Sequence, residues 1–289
     1  MKFISADYVY PIATNPIKNG VVQIDRSGKI IALLNPEVDQ INWENVEKYQ
    51  GIICPGFVNT HCHLELSYLK GKVAENTQLH GFVSELMAIR DNYSDEERLE
   101  AIKKADEEMY NNGVVAIGDI SNGASTFHQK EQSKIKYHTF VEVFGLDTKD
   151  SENIFNRAKL LQQKFNTASI TPHAPYSLSS QLKNLVNQES DDLMTIHNQE
   201  TASENELFKK GSGTLFNQLL KFSEEIKTWQ PTDKNSLPSY LTSFSKQKRI
   251  LLVHNTFTDK NDIDFAKNYS NNIYWCFCPN ANQYIENTQ

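Results

Sequence analysis

Two histidines spaced i, i+2, His61 and His63, close an apolar run that begins at Ile52. On an extended backbone alternate side chains project from one face, so the two imidazoles form a chelate one pleat apart. A lone His-x-His is more often a pair of ordinary core or surface histidines. Here the pattern recurs: Met194 to His197 and Arg249 to His254 are further β-type apolar runs that end in a histidine. Neutral imidazoles suit zinc and iron(II), and a catalytic site keeps one coordination position for water. His61, His63 and His197 are therefore the expected ligands of one divalent metal ion, zinc ahead of iron(II).

The neighbouring residues extend that chemistry. Glu200 follows His197 by three positions and would point away from it on a continuing strand, so the chain is expected to leave the strand there and turn both groups to one pocket. A carboxylate beside an activated water carries a proton from it to a substrate nitrogen. The plainer reading of Glu200 is a solvated acid at a helix start, beside Glu204 and Glu206. Two roles are open to His254, a further ligand or a catalytic group that holds and polarises the water from behind the ligands, and the second is preferred. His173, within Pro172-His173-Ala174-Pro175-Tyr176, either contacts substrate or is a loop histidine bonded to backbone. His80, His128 and His138 receive no role. Gly211-Ser-Gly213 does not follow a strand, as a nucleotide-binding loop requires, and no Gly-x-Ser-x-Gly elbow is present. Cys276-Phe277-Cys278 lacks the second cysteine pair of a structural zinc site.

The elements that must position these groups are legible from periodicity. Residues 1 to about 50 alternate short β-like pieces with turns such as Asn19-Gly20 and Ser27-Gly28, which predicts a small antiparallel unit. From residue 51 to 289 strands and helices alternate. Ser94-Asp-Glu-Glu97 is a capping-box signature for a helix ending before Gly113. Strand-like runs follow at 114–120, 137–145, 168–171, 193–196, 250–253 and 273–277, with helical periods between most of them. Together with the run before His61 they predict parallel βαβ units, and an eighth strand would close a (β/α)8 TIM-like barrel. In that fold catalytic groups sit at the C-terminal ends of the strands, where these histidines lie.

Composition narrows the partners. The formal net charge is -7 and the lysines are scattered, which argues against nucleic acid or an anionic membrane and for a small-molecule substrate. A homodimer is left open. The N-terminal stretch breaks its apolar character at Asp7, no run reaches the ~18 apolar residues of a membrane span, and the four cysteines sit in apolar runs, so a cytoplasmic protein with reduced, buried thiols is expected.

In its ordered motifs the sequence resembles the amidohydrolase superfamily, in the metal-dependent deaminase and chlorohydrolase branch. Pro55-Gly56-Phe57-Val58-Asn59-Thr60-His61-Cys62-His63 is similar to that branch's strand-one metal motif. His197-Asn-Gln-Glu200, Val253-His254-Asn255 and Cys278-Pro279-Asn280-Ala281-Asn282 are similar to its strand-five, strand-six and strand-seven motifs, in the right order. The resemblance implies a mononuclear site, a (β/α)8 barrel and a small β-sandwich assembled from both chain ends. Strand four ends in Pro172-His173 with no lysine of the kind binuclear members carboxylate, which supports one metal. Thr60-His61-Cys62-His63-Leu64-Glu65-Leu66-Ser67 looks closest to members that deaminate 6-aminopurine nucleoside-like compounds, such as aminofutalosine deaminases. On that likeness Glu65 joins His173 as a substrate-binding residue, Glu200 shuttles protons, and His254 steadies the attacking water.

The resemblance also implies a metal-binding aspartate at the end of strand eight, and the sequence ends at Gln289, just past the strand-seven motif. The expectation is a chain truncated before strand eight, with a natural protein that continues for roughly 80 to 100 residues. A free 1–289 polypeptide would then be poorly soluble and inactive. The alternative functions are a chlorohydrolase or cyclic amide hydrolase of the same superfamily, or a metal-binding protein without turnover.

Overall fold

Short β-branched runs separated by turn residues build the first compact unit, Met1–Phe57, in the computed structural model, which describes residues 1–189 and 192–288. Its strands are β1 (Lys2–Ser5), β2 (Tyr8–Val9), β3 (Ile17–Lys18), β4 (Val21–Ile24), β5 (Ile30–Leu34), β6 (Val46–Lys48) and β7 (Ile52–Ile53). They form one sheet in the order β5-β4-β1-β6 and a second in the order β3-β2-β7. Asn19 takes the left-handed conformation, φ 51°, that lets β3 turn into β4, and asparagine tolerates it better than most residues. β1–β4 and β4–β5 are antiparallel as periodicity predicts, but β1–β6 and β2–β7 are parallel, which sequence-local turns do not reveal.

The apolar run from Ile52 to Val58 reads as one buried strand but folds as two pieces, β7 and β8 (Phe57–Cys62). Pro55 has no N–H for a sheet ladder, so it breaks the run, and Phe57 and Val58 are exposed. Cys54 lies in the same break and is exposed, while Cys62 and Cys278 are half-buried; of the four free thiols only Cys276 is buried as expected.

In the second unit, Val58–Gln289, strands and helices alternate. β8, β9 (Val114–Ser121), β10 (Lys136–Val143) and β11 (Ala168–Pro172) make a four-stranded sheet in the order β11-β10-β9-β8. β12 (Leu193–Asn198), β13 (Arg249–His254) and β14 (Ile273–Cys276) make a three-stranded sheet in chain order. The pairs β9–β10, β10–β11, β12–β13 and β13–β14 are parallel, as crossover helices impose. Where β11 meets β12, the Thr195 N–H donates to the Thr171 hydroxyl at 2.8 Å, and that hydroxyl donates back to the Thr195 carbonyl.

Parallel strands covered on both faces are almost continuously apolar. Val141, Ile170, Ile196 and Leu252 accordingly pack in one core with Leu182 and Tyr240 from the surrounding helices. Helix starts follow their caps: Ser94 N–H donates to Glu97 at 2.8 Å and Glu97 N–H to Ser94 Oγ at 3.2 Å, opening helix Asp95–Asn111. Asp259 and Asp262 cap Lys260–Tyr269 in the same way. Gly118 lets β9 approach β8, because a Cβ there would lie 2.7 Å from the Thr60 carbonyl oxygen. Among the described residues no helix is long and apolar enough to cross a membrane.

Candidate active site

The carboxyl ends of β8, β11, β12 and β13 bring the histidines together. His61, His63, His173, His197, Glu200 and His254 all line one cavity of about 870 Å³. His61 keeps ring centroids of 4.9 Å to both His63 and His197 and 5.8 Å to His254. The Nε2 atoms of His63 and His197 face each other at 3.3 Å. One nitrogen from each of His61, His197 and His254 falls within 4.8 Å of the others. His254 stands in that group where sequence placed His63, although its ring lies farther from His61 than the ring of His63 does.

The supporting hydrogen bonds set which nitrogen is free. His197 Nδ1 lies 2.7 Å from the His173 carbonyl, and a carbonyl only accepts, so the proton sits on Nδ1 and Nε2 carries the lone pair. His254 Nδ1 lies 2.8 Å from Asn282 Oδ1, while the Asn282 amide N–H donates to the His254 carbonyl at 3.5 Å, which orients that amide and again frees Nε2. His173 Nδ1 is paired with Ser177 Oγ at 2.9 Å. His61 Nδ1 is buried with no partner among the described residues. Burial first, and the neighbouring imidazoles second, hold His61 and His63 well below the usual histidine range. Burial likewise depresses His173, His197 and His254 to about 4. Uncharged imidazoles with converging lone pairs, one nitrogen otherwise orphaned, are a donor set that fits a divalent metal ion.

Glu200 reaches the cavity because β12 ends at Asn198 and Gln199 turns the chain through a left-handed φ of 46°. Its carboxylate stands 3.4 Å from His254 Nε2, and burial pushes it up to about 7. His254 and Asn255 are themselves left-handed, φ 73° and 59°, and Asn255 is held by its amide donating to the Leu252 carbonyl at 2.8 Å and the Cys276 carbonyl at 3.2 Å. Glu65 is placed differently. It accepts from the Asn122 backbone at 3.1 Å and the Asn122 amide at 3.0 Å, and it does not line the histidine cavity. Burial also raises its carboxyl, to about 7.

Glu142 escaped the reading of the sequence, whereas Asn282 was read only as part of the strand-seven motif and Asn122 was given no role. Glu142 sits near the end of β10 with Oε1 3.8 Å from His197 Nδ1 and Oε2 accepting from the Asn122 amide at 3.0 Å. The available signal was a lone acid inside the apolar run Phe140-Val141-Glu142-Val143-Phe144, where a charge has no reason to be unless it is used.

Comparison with known proteins places this geometry. The model of the amidohydrolase family matches residues 52–289. The chain belongs to the amidohydrolase family. Aminodeoxyfutalosine deaminase of Nitratiruptor is 25% identical to this amidohydrolase over 252 residues, 82% of this chain and 58% of the relative. Adenosine deaminase of Helicobacter pylori is 26% identical over 249 residues, 81% of this chain and 58% of the relative. The chain therefore spans 58% of the length of these curated relatives. The crystal structure of Helicobacter pylori aminofutalosine deaminase in complex with methylthio-coformycin superposes with a TM-score of 0.81 at 20% identity, covering 100% of this chain and 72% of that one. Guanine deaminase from C. acetobutylicum gives 0.69 at 16% identity, covering 97% and 68%. At such identities the likeness speaks for the α/β fold of the superfamily.

Proposed function

We propose that this amidohydrolase is a metal-dependent hydrolytic deaminase of an aminopurine nucleoside-like compound. The observation that carries the reading is Glu200, raised to about 7 and 3.4 Å from His254 Nε2, inside a cavity lined by uncharged histidines. The names of the relatives, deaminases of aminodeoxyfutalosine, adenosine and 5'-deoxyadenosine, support the substrate class. His61, His63 and His197 are read as the ligands of one divalent ion, with zinc preferred and iron(II) the alternative. Such an ion, when bound, supplies the Lewis acidity that makes water a nucleophile near neutral pH.

The chain's own residues do the rest. Glu200 takes a proton from the attacking water and delivers it to the ring nitrogen beside the amino-bearing carbon, then assists protonation of the departing ammonia. His254, its Nδ1–H locked on Asn282, offers Nε2 to hold the water in line. His173, bonded to Ser177, faces the substrate. Oxygen from water replaces nitrogen on the carbon, and ammonia leaves. The Thr60 hydroxyl donates to Cys276 Sγ at 3.0 Å between β8 and β14, which supports reading the two sheets as part of a (β/α)8 barrel. A cytoplasmic location remains part of the proposal.

Ammonia release from adenosine, 5'-deoxyadenosine, an aminopterin and an aminotriazine, with metal-loaded protein, tests it. Turnover of the purine nucleosides is expected. Chloride release or ring opening without ammonia would transfer the site to the chlorohydrolase or amide-hydrolase reading, and stoichiometric metal without any turnover would leave a binding protein.

A further inference from the structure

Beside the histidine cavity lies a second one of about 530 Å³, and His173 and Tyr176 line both. Its walls are largely apolar, with Phe144, Leu146, Leu215 and Leu219 among them, and Glu142 lines it as well. Glu142 is buried, and its two oxygens have unequal fates. Oε2 accepts from the Asn122 amide, whereas Oε1 has no donor among the described residues. The nearest candidate, His197 Nδ1 at 3.8 Å, already gives its proton to the His173 carbonyl at 2.7 Å. A buried carboxylate oxygen without a donor is costly, and a protein keeps one where something else supplies the hydrogen. The other acids of this cavity do not share that position: Asp147 accepts from Ser223 Oγ, and Asp150 is exposed.

We infer that Glu142 accepts a hydroxyl hydrogen from the sugar of the substrate, and so selects nucleosides that carry ring hydroxyls over free bases and dideoxy analogues. This rests on the deaminase reading for the position of the heterocycle. With the heterocycle among the histidines and against His173, the substituent on it extends past His173 into the second cavity. Glu142 lines that cavity and has an oxygen without a donor among the described residues. The remaining walls are largely apolar, and Arg90 lines them as well. Glu142 acts as a specificity residue, with no part in bond breaking.

The test compares adenosine with 2',3'-dideoxyadenosine in wild type, Glu142→Ala and Glu142→Gln, each metal-loaded and checked by elemental analysis. Glu142→Gln keeps an oxygen for Asn122 and guards against a variant that merely fails to fold. A hydrogen bond to a charged group corresponds to about tenfold, so Glu142→Ala should lower kcat/KM for adenosine by about tenfold or more and that for dideoxyadenosine by less than about threefold. The dissociation constants of both nucleosides, measured by calorimetry, should show the same split. Equal losses on both probes, or loss of the metal, would overturn the proposal, because Glu142 would then be supporting the histidines. If wild type deaminates neither nucleoside, the deaminase reading fails on its own. Calorimetry then still decides Glu142: tighter binding of adenosine that vanishes in Glu142→Ala upholds it, and no discrimination or no binding sinks it.

Discussion

Two of the buried polar clusters among the described residues of the second unit differ in how completely their hydrogen bonds close. Lys130 and Asp119 are fully buried and paired at 2.6 Å. The Lys130 ammonium spends its other two donors on Ser121 Oγ at 2.9 Å and Thr139 Oγ1 at 3.1 Å, and Asp119 accepts the Leu64 N–H at 2.7 Å. Phe127, Tyr137 and Phe165 close around the ammonium. Around the histidines, by contrast, His61 Nδ1 and Glu142 Oε1 are buried without partners among the described residues. Both clusters are buried, and the informative difference is whether each polar atom finds a partner. The closed cluster clamps the chain at Leu64, one residue past His63. The open cluster keeps capacity for a ligand.

That contrast breaks first at the metal. The His61→Ala, His63→Ala double variant should fall from about one ion per chain to essentially none by elemental analysis, since imidazole lone pairs supply the affinity. Stoichiometric metal in the variant would remove the reason for the open valences. Next, Glu200→Gln should retain metal while steady-state deamination drops by ~10²- to 10⁴-fold, because an amide neither accepts nor returns the proton. An unchanged rate would return Glu200 to the role of an ordinary buried acid.

The closed cluster should respond in stability. Lys130→Met leaves Asp119 buried and uncompensated and is expected to cost ~3–5 kcal/mol in urea unfolding, with part of the loss recovered when Asp119 is also made Leu. A loss below ~1 kcal/mol would mean that the pair is hydrated in solution and the contrast overdrawn.

The smallest effect sharpens the border between the two. Glu204 is fully buried beside the site, accepts the Gln199 N–H at 3.1 Å, and is raised by burial from 4.5 to about 7. A raised carboxyl binds its proton more tightly when folded, so its contribution is present below about 4.5 and is lost as pH rises toward about 7. Glu204→Gln should therefore gain stability relative to wild type between pH 5 and pH 8, by up to about 3 kcal/mol in urea titrations. A pH-independent difference between the two proteins would show that Glu204 ionises freely.

Much of the open cluster was legible because its histidines end apolar runs. His61, His197 and His254 each close a β-type stretch, and parallel βαβ order puts such ends on one side. The turn that delivers Glu200 follows from spacing alone, since a continuing strand would send it the other way. Glu142 and Lys130 were not legible. Each pairs with a residue far along the chain, Asn122 or His197 for one and Asp119 or Thr139 for the other, and no local period encodes such pairings. Register explains the parallel β1–β6 and β2–β7 pairs in the same way. Pro55 carried its signal openly, but the surrounding hydrophobicity masked the break it makes.

The left-handed backbone at His254 and Asn255 constrains how this protein can vary. L-residues with a Cβ enter that region at a cost of roughly 1–2 kcal/mol, and branched side chains fare worst. At position 255 the side chain must also reach the Leu252 carbonyl of its own strand and the Cys276 carbonyl of the next one, which glycine cannot do and aspartate cannot do as a donor. Saturation mutagenesis there, sorted for metal retention, should return asparagine almost alone. Position 256, back in ordinary conformation, should accept many residues. A site whose mutable neighbours are this few changes specificity by exchanging its loops and second cavity, while the strand ends stay as they are.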